Sequence, residues 1–228
     1  MLSVVDLLEA GTLTLYQAAW LLSRVLQGSS WLVGAKPGGA GKTTVMSALL
    51  AMTPGDARVW LTNRGSGWQE GRPGDYIVSY ELSPGFYDAY IWGQDVTRMT
   101  ELGIGGCRII SNLHADTLEQ ARAQIVTECG ATEEGFRAFQ IFIPLALKGS
   151  RLTSTPVVER FDYVSDGAWL RLLRTDLEAP RANSPETSPR KFKIVEFLSG
   201  CTNHNIRLIE DVREEWLDWC DREMSWYS

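Results

Sequence analysis

The amino-acid sequence predicts an α/β fold with a mostly parallel sheet, antiparallel C-terminal strands and a helical tail. Short segments rich in β-favouring residues alternate with segments whose apolar residues recur every three or four positions, which is typical of parallel strands joined by helices. Two further β-rich segments turn at Asp166 and Gly167, as antiparallel strands do. The last segment again carries apolar residues at helical spacing.

Each predicted element is bounded by residues that end regular structure. Gly11 closes the first helix, Gly28 ends the second, and Pro54 follows the third. Tryptophan, valine and isoleucine mark the strands. The predicted helices cover residues 4–10, 12–26, 43–52, 96–102 and 116–128, the last capped by Asp116, and the tail is helical from residue 193. The predicted strands cover residues 31–33, 58–62, 76–80, 89–92, 108–112, 139–145, 157–164 and 169–173.

A glycine-rich turn between the first strand and the following helix is the most informative motif. Residues 31–44 read Trp-Leu-Val-Gly-Ala-Lys-Pro-Gly-Gly-Ala-Gly-Lys-Thr-Thr, which matches the end of the P-loop pattern Gly-x-x-x-x-Gly-Lys-[Ser/Thr]. Lys36 stands where the pattern has its leading glycine, and Gly34 lies two residues too early. We therefore interpret the segment as a variant P-loop. The alternative is a strand-to-helix turn that binds nothing.

The predicted P-loop supplies the groups that a nucleotide triphosphate needs. The glycines let backbone N–H groups converge on the phosphates, Lys42 adds a cation, and the hydroxyl of Thr43 is placed to bind Mg²⁺. The helix that begins near Thr43 directs its positive end at the anion. The predicted nucleotide-binding residues are Gly38, Gly39, Ala40, Gly41, Lys42, Thr43 and Thr44, with ATP and Mg²⁺ as the cofactors.

Composition narrows the class of protein. The net charge is −6, whereas nucleic-acid-binding proteins usually have a basic face, so we expect no nucleic-acid partner. The apolar content of 44% is enough for a core in a chain of 228 residues. The four cysteines are scattered, and we expect reduced thiols in a cytosol. We also expect neither a signal peptide nor a membrane-spanning helix.

The motifs, in their order, resemble the type II/type IV secretion and pilus-assembly ATPases, and the Tad-like and archaeal branch in particular. The resemblance covers roughly residues 4–175. Residues 6–14 and 18–22 are similar to the helices that precede the P-loop strand in that family, and residues 41–50 with Pro54 are similar to its Gly-Lys-Thr-Thr helix and turn. Residues 109–116, Ile-Ile-Ser-Asn-Leu-His-Ala-Asp, look like its histidine box.

The resemblance implies a RecA-like P-loop NTPase core and a homo-oligomer, a hexamer in the family, that works with a membrane-embedded secretion or pilus platform protein. It implies a cytoplasmic protein, peripheral at the inner face of the membrane. We expect a divergent form without the family's large N-terminal domain. The predicted organisation is lead-in helices over residues 1–30, the P-loop core over 31–177, a flexible linker over 178–191 and a helical segment over 192–228. The linker prediction depends on three prolines, two serines and no aromatic residue in residues 178–190.

The predicted catalytic residues are Gln94, Asp95 and His114, assigned by the resemblance. The family has an acidic pair after its second strand, where this chain has Thr62 and Asn63, and its Walker B strand ends in Gly-Glu, where this chain has Gly93 and Gln94. Gln94 can hold a water molecule but cannot take its proton, whereas Asp95 is a carboxylate one residue away. The family implies that His114 senses the nucleotide or aligns the γ-phosphate region. The candidate arginine fingers are Arg64, Arg98 and Arg108.

Three functions follow from these patterns. The first is an ATP-binding motor ATPase of the secretion type with weak hydrolysis. The second is a non-hydrolysing regulatory or scaffold subunit that interacts through its C-terminal helix, favoured by the degenerate carboxylates. The third function is that of a small-molecule kinase, which is less favoured because the sequence shows no basic lid segment.

The C-terminal helix carries an apolar stripe, which needs either the core of the chain or a neighbouring subunit to cover it. The stripe consists of Leu208, Ile209, Val212, Trp216 and Trp219.

Overall fold

The computed structural model describes residues 1–36, 38–65, 71–149, 154–178 and 189–224. The strands are β1 (Trp31–Gly34), β2 (Val59–Thr62), β3 (Tyr76–Ser79), β4 (Glu81–Leu82), β5 (Tyr90–Ile91), β6 (Arg108–Leu113), β7 (Ile141–Lys148), β8 (Thr155–Val158), β9 (Arg160–Ser165) and β10 (Ala168–Leu173). The helices are α1 (Val4–Glu9), α2 (Leu15–Leu26), α3 (Lys42–Leu50), α4 (Gln94–Ile104), α5 (Leu118–Arg122), α6 (Glu133–Arg137), α7 (Arg174–Glu178), α8 (Pro189–Asn203) and α9 (Ile209–Met224). A π-helical segment, Ala123–Glu128, continues α5.

The sheet is mixed, with a parallel centre. Its strand order is β10-β9-β7-β1-β6-β3-β2. The five strands from β7 to β2 in this order run parallel to one another, whereas β9 and β10 form an antiparallel addition beyond β7. The predictions of a mostly parallel sheet, antiparallel C-terminal strands and a turn at Asp166 and Gly167 are confirmed. The strand β1 is central, so the loop that follows it lies at the middle of the carboxyl edge of the sheet.

Helices cover both faces of the sheet, which is why its central strands are apolar throughout. One face packs against α1, α2, α3, α8 and α9, and Val33 of β1 belongs to that core. The other face packs against α4, α5 and α6, and Leu32 of β1 belongs to that second core. The neighbouring residues Leu32 and Val33 are fully buried on opposite faces, as the alternation of a strand requires. No described helix is both long enough and apolar enough to span a bilayer.

The predicted elements differ from the structure mainly at their boundaries. The predicted strand over residues 157–164 is two strands: β8 pairs antiparallel with β7, and β9 pairs with β10 and β7. The predicted strand over residues 89–92 is the two-residue β5, paired only with β4 among the described residues. The predicted cap Asp116 is replaced by Thr117, whose side chain accepts a hydrogen bond from the backbone N–H of Gln120.

The C-terminal segment consists of two helices, α8 and α9. Within the segment predicted as a linker, residues 179–188 lie outside the described residues, and α8 begins at Pro189. Proline suits a first helical position because its missing N–H is not needed there. The stripe of α9 is covered by the core of the chain itself, because Val212 and Trp216 are at most 1% exposed, but Leu208 is 66% exposed and lies outside that contact.

A buried carboxylate, Asp75, fixes the start of β3. It accepts hydrogen bonds from Arg58 Nε at 2.9 Å, from Trp60 Nε1 at 3.1 Å and from the backbone N–H of Arg72 at 3.0 Å. Burial alone would raise the pKa of Asp75, but these hydrogen bonds outweigh burial and hold the pKa below its ordinary value of 3.8.

We expect Asp75→Asn to lower the free energy of unfolding by about 1–3 kcal/mol at neutral pH, because charge-assisted hydrogen bonds are lost. A folded-state pKa below the unfolded value gives stability that is present above the ordinary pKa and is lost as pH falls through the folded value. The difference in unfolding free energy between wild type and variant should therefore become smaller in acid. Urea unfolding at several pH values measures it, with the exposed Asp166→Asn as the matched control. An equal difference in unfolding free energy at all pH values would contradict the lowered pKa of Asp75.

Candidate functional site

The loop between β1 and α3 leaves the sheet at a tightly packed point. A Cβ atom on Gly34 would lie 2.3 Å from the carbonyl oxygen of Ala115, so only glycine fits there. The backbone N–H of Lys36 then donates to the Asp116 carboxylate at 2.6 Å. The beginning of the glycine-rich loop is thereby attached to the segment that follows β6. This contact also explains why Asp116 does not cap α5.

The end of the loop is built to expose backbone N–H groups. Gly39 and Gly41 have φ angles of 81° and 86°, the left-handed region that glycine adopts without strain. Gly41 is the N-cap of α3, and no described side chain caps this helix. Its first N–H groups and its positive dipole end are therefore available to an anion.

A cavity of about 400 Å³ opens in front of this helix end. It lies at the carboxyl ends of the parallel strands, where open α/β sheets bind their ligands. The predicted nucleotide-binding residues and His114 line it together with Glu81 and two tyrosines. The lining residues are Gly38, Gly39, Ala40, Gly41, Lys42, Thr43, Thr44, Tyr80, Glu81, Tyr90 and His114.

A three-residue cluster of charged and ionisable groups lies in the lining of the cavity. Lys42 Nζ lies 3.2 Å from Glu81 Oε1, and His114 Nε2 lies 2.9 Å from the same oxygen. Lys42 Nζ also lies 3.4 Å from His114 Nδ1. The side chains of Lys42 and Glu81 are 7% and 8% exposed, whereas that of His114 is 43% exposed. If His114 Nδ1 accepts a hydrogen bond from Lys42 Nζ, the ring proton is on Nε2, the nitrogen that faces the Glu81 carboxylate.

Glu81 is the residue that the sequence analysis missed. It belongs to β4, directly after β3, and β4 pairs with β6 through Leu82 and Leu113. Because β6 is the neighbour of β1, only one strand separates the end of β3 from the glycine-rich loop. The sequence signal for Glu81 was an acidic residue directly after the apolar segment 76–80. This signal could not identify a site residue without knowledge of the strand order.

Thr43 is the only predicted metal ligand, and its surroundings fit Mg²⁺ bound mainly through phosphate and water. Asn112 Nδ2 lies 3.5 Å from Thr43 Oγ1 and donates to the carbonyl oxygen of Tyr80 at 2.9 Å. In the described part of the chain, no group of three or more His, Cys, Asp or Glu side chains could hold a metal ion. Mg²⁺ commonly keeps several waters and takes few protein ligands, so one hydroxyl beside a phosphate cavity is a suitable donor set.

Two tyrosines, Tyr80 and Tyr90, also line the cavity. The rings of Tyr80 and Tyr90 stack with centroids 6.3 Å apart, and Tyr87 contacts Tyr90 edge-on at 5.1 Å. Burial first, and the nearby Glu81 carboxylate second, raise the pKa of Tyr90 above its ordinary value. Tyr90 therefore keeps its proton at neutral pH and can donate a hydrogen bond.

The structure does not bring Gln94 and Asp95 to this cavity. Both lie in the first turn of α4, and the Asp95 carboxylate accepts a hydrogen bond from the backbone N–H of Gly65 at 3.0 Å. Neither residue lines the cavity. Their role in orienting water stays a prediction, and this arrangement gives it no support.

The three candidate arginine fingers also lie outside the cavity lining. Arg64 donates to the carbonyl oxygen of Gly85, Arg108 donates to that of Gly106 at 2.9 Å, and Arg98 is exposed on α4. An arginine finger acts on the phosphate of a neighbouring subunit, so the positions of these arginines within one subunit do not test this role. Their role stays a prediction.

Comparisons with known proteins add little to this geometry. A scan against protein-family models found no match, and a search of curated proteins found none either. Among solved structures, the chain is similar to the crystal structure of the VirB11 ATPase from the Brucella suis type IV secretion system in complex with sulphate, with a TM-score of 0.45 and 18% sequence identity. The similarity covers 70% of this chain and 54% of the VirB11 chain, so this chain spans about half the length of that protein. A similarity this low carries no argument about function.

Proposed function

We propose that this protein binds ATP with Mg²⁺ in the cavity in front of α3 and hydrolyses it. The observation that supports this proposal is the placement of Lys42, Glu81 and His114 together at the end of a glycine-rich loop. A buried lysine, exposed helix N–H groups and a carboxylate within one cavity are the parts that phosphoryl transfer to water requires.

Binding would exchange the partners of Lys42. In the structure its ammonium group pairs with Glu81, and it would turn to the β- and γ-phosphates when a nucleotide enters. The backbone N–H groups of residues 38–41 would surround the phosphates, and Thr43 would hold Mg²⁺, which supplies charge neutralisation when bound. Because Lys42 is already held beside the phosphate site, little side-chain entropy is lost on binding.

Hydrolysis would use the carboxylate that this exchange releases. Glu81 would accept a hydrogen bond from a water molecule and take its proton as the water oxygen attacks the γ-phosphorus and the bond to ADP breaks. His114 Nε2, which contacts Glu81 at 2.9 Å, would hold the carboxylate in position. His114 would thereby link the state of the phosphate site to the segment that follows β6.

We further propose that hydrolysis drives a motor of the secretion or pilus-assembly type. The P-loop and histidine-box motifs support this through their resemblance to that family. The same resemblance is the basis for proposing a homo-oligomeric ring, a membrane-embedded platform partner and a cytoplasmic location at the inner face of the membrane. The alternative of a non-hydrolysing subunit depended on degenerate carboxylates, and Glu81 now supplies a carboxylate in the cavity.

We expect Lys42→Ala to abolish measurable ATP binding and phosphate release, because the buried cation of the cavity is lost. The matched control is Lys36→Ala, since Lys36 is exposed and contributes its backbone N–H, which alanine retains. Calorimetric titration with Mg-ATP and steady-state phosphate release would measure both effects. Wild-type protein that binds no nucleotide, or equal behaviour of the two variants, would overturn the proposal.

A further inference from the structure

We propose that Asn112 is an outer-shell partner of the Mg²⁺ bound at Thr43. Its side-chain oxygen, Oδ1, accepts a hydrogen bond from the Thr43 hydroxyl or from a water molecule on the metal. Asn112 lies in β6 and is fully buried. The inference rests on the proposed function, because the nucleotide brings Mg²⁺ to Thr43. Asn112 is thereby a positioning residue, since it acts on the metal through the ligands that the metal binds directly.

Alternation along β6 places Asn112 on the face of the sheet that carries the nucleotide loop helix. Ile110, two positions earlier, packs into the core that contains α3, whereas Leu113 packs into the core on the other face. Asn112 therefore lies on the α3 face, in register with Val33 of β1. Thr43 is in the first turn of α3, and Asn112 Nδ2 lies 3.5 Å from Thr43 Oγ1.

The nitrogen of the Asn112 carboxamide has a structural partner. The chain passes from β3 to β4 at Tyr80, which belongs to neither strand. Nδ2 donates a hydrogen bond to the Tyr80 carbonyl oxygen at 2.9 Å. This contact fixes the orientation of the carboxamide, because the reverse orientation would place Oδ1 against another oxygen. The donor half of Asn112 therefore stabilises the chain between the two strands.

The oxygen of the carboxamide has no such partner. Oδ1 is buried, and no donor among the described residues makes a hydrogen bond to it. A buried acceptor without a donor costs free energy, and an apolar side chain would avoid this cost. The neighbouring positions Ile109, Ile110 and Leu113 are in fact apolar and fully buried. An unpaired oxygen beside a proposed metal ligand indicates a donor that arrives with the metal.

Mg²⁺ brings donors of this kind. A hydroxyl that gives an oxygen lone pair to Mg²⁺ keeps its proton and donates it to a second group, and water molecules on the metal do the same. Outer-shell acceptors orient the ligands of a metal, and their loss typically weakens metal binding by about 10–100-fold. Asn112 offers a neutral oxygen for this purpose. A carboxylate in its place would also add a negative charge near the cation.

The affinity of the nucleotide complex for a divalent cation tests this role without relying on hydrolysis. Mn²⁺ is added to protein saturated with a non-hydrolysable ATP analogue, and its binding is followed by electron paramagnetic resonance. We expect Asn112→Leu to weaken Mn²⁺ binding by about 10–100-fold, because leucine has a similar volume but no acceptor. The matched control is Ser111→Ala, which should leave Mn²⁺ affinity unchanged. Ser111 is also fully buried in β6 and donates to a backbone carbonyl oxygen, that of Ser79, at 3.1 Å.

A second variant, Asn112→Asp, separates the acceptor from the structural donor. Aspartate keeps an oxygen in place of Oδ1 but cannot donate to the Tyr80 carbonyl oxygen when it is ionised. We expect this variant to bind Mn²⁺ at least as tightly as wild type, because its carboxylate adds charge near the cation. A purely structural role predicts the same loss as in Asn112→Leu. Equal losses in the two variants, or no loss in Asn112→Leu, would overturn the inference.

The same titrations distinguish failure of this inference from failure of the proposed function. Wild type that binds no nucleotide analogue, with or without Mn²⁺, would overturn the proposed function and this inference with it. Wild type that binds both the analogue and Mn²⁺, together with an Asn112→Leu protein that binds them equally well, would overturn this inference alone.

A measurement on wild type covers the case in which Asn112→Leu does not fold. The side-chain NH₂ resonances of Asn112 are assigned by triple-resonance NMR in the complex with the ATP analogue. We expect them to move when Mg²⁺ is added, because a new hydrogen bond to Oδ1 polarises the carboxamide. Resonances that stay in place while Mg²⁺ binds would overturn the inference.

Discussion

Glu81→Gln is expected to retain ATP binding and to lower steady-state hydrolysis by about 10²–10⁴-fold, the usual contribution of a positioned general base. Glutamine has the same shape and can still hold a water molecule, but it cannot accept the proton that leaves the water. Removal of the negative charge also frees Lys42 from its ion pair at 3.2 Å and removes repulsion of the γ-phosphate. ATP binding should therefore be unchanged or tighter.

The matched control for Glu81→Gln is Asp95→Asn. Asp95 is the carboxylate that the sequence favoured, but its side chain accepts a hydrogen bond from the Gly65 backbone and lies outside the cavity lining. We expect its replacement to change turnover by no more than a few-fold. Single-turnover phosphate release with excess enzyme separates loss of chemistry from loss of binding. If Asp95→Asn is the inactive variant and Glu81→Gln retains turnover, the general base is Asp95 of α4 and not Glu81.

There is a physical reason why the glycine-rich loop could be located from the sequence whereas Glu81 could not. The glycine-rich loop is a local structure, since the glycines, Lys42 and the helix start are all within a few residues, so a single sequence is enough to locate it. Glu81 reaches Lys42 only because β3 lies one strand away from β1 in the sheet. Strand order is set by pairing between segments that are distant in the sequence, and the spacing of residues along the chain does not reveal it.

His114 shows an intermediate case. Its position at the end of a strand was predicted, and the structure brings it within 3.4 Å of Lys42. Its contact with Glu81, however, depends again on the adjacency of β6 and β4. Asp116 was predicted as a helix cap because aspartate is a common cap. The sequence could not show that the backbone N–H of Lys36 binds the Asp116 carboxylate and leaves Thr117 to cap the helix.

The second large effect is expected in the C-terminal helix. Trp216→Ala should lower the free energy of unfolding by about 3–5 kcal/mol, as large-to-small changes of buried aromatic residues do. The Trp216 side chain is fully buried, its ring stacks on that of Trp219 with centroids 4.9 Å apart, and its Nε1 donates to the Met52 carbonyl oxygen at 2.7 Å. The substitution creates a cavity and leaves that carbonyl oxygen unpaired.

Urea unfolding of three variants separates the causes of this loss. Leu208→Ala is the matched control, because Leu208 belongs to the predicted apolar stripe but is 66% exposed, and exposed substitutions usually change stability by about 0.5 kcal/mol or less. Trp216→Phe should fall between the two, since it keeps an aromatic ring but loses the N–H that reaches Met52. Equal effects of Trp216→Ala and Leu208→Ala would mean that α9 does not pack on the core in solution. The apolar stripe would then be available to a neighbouring subunit, and the scaffold function that depends on it would regain its basis.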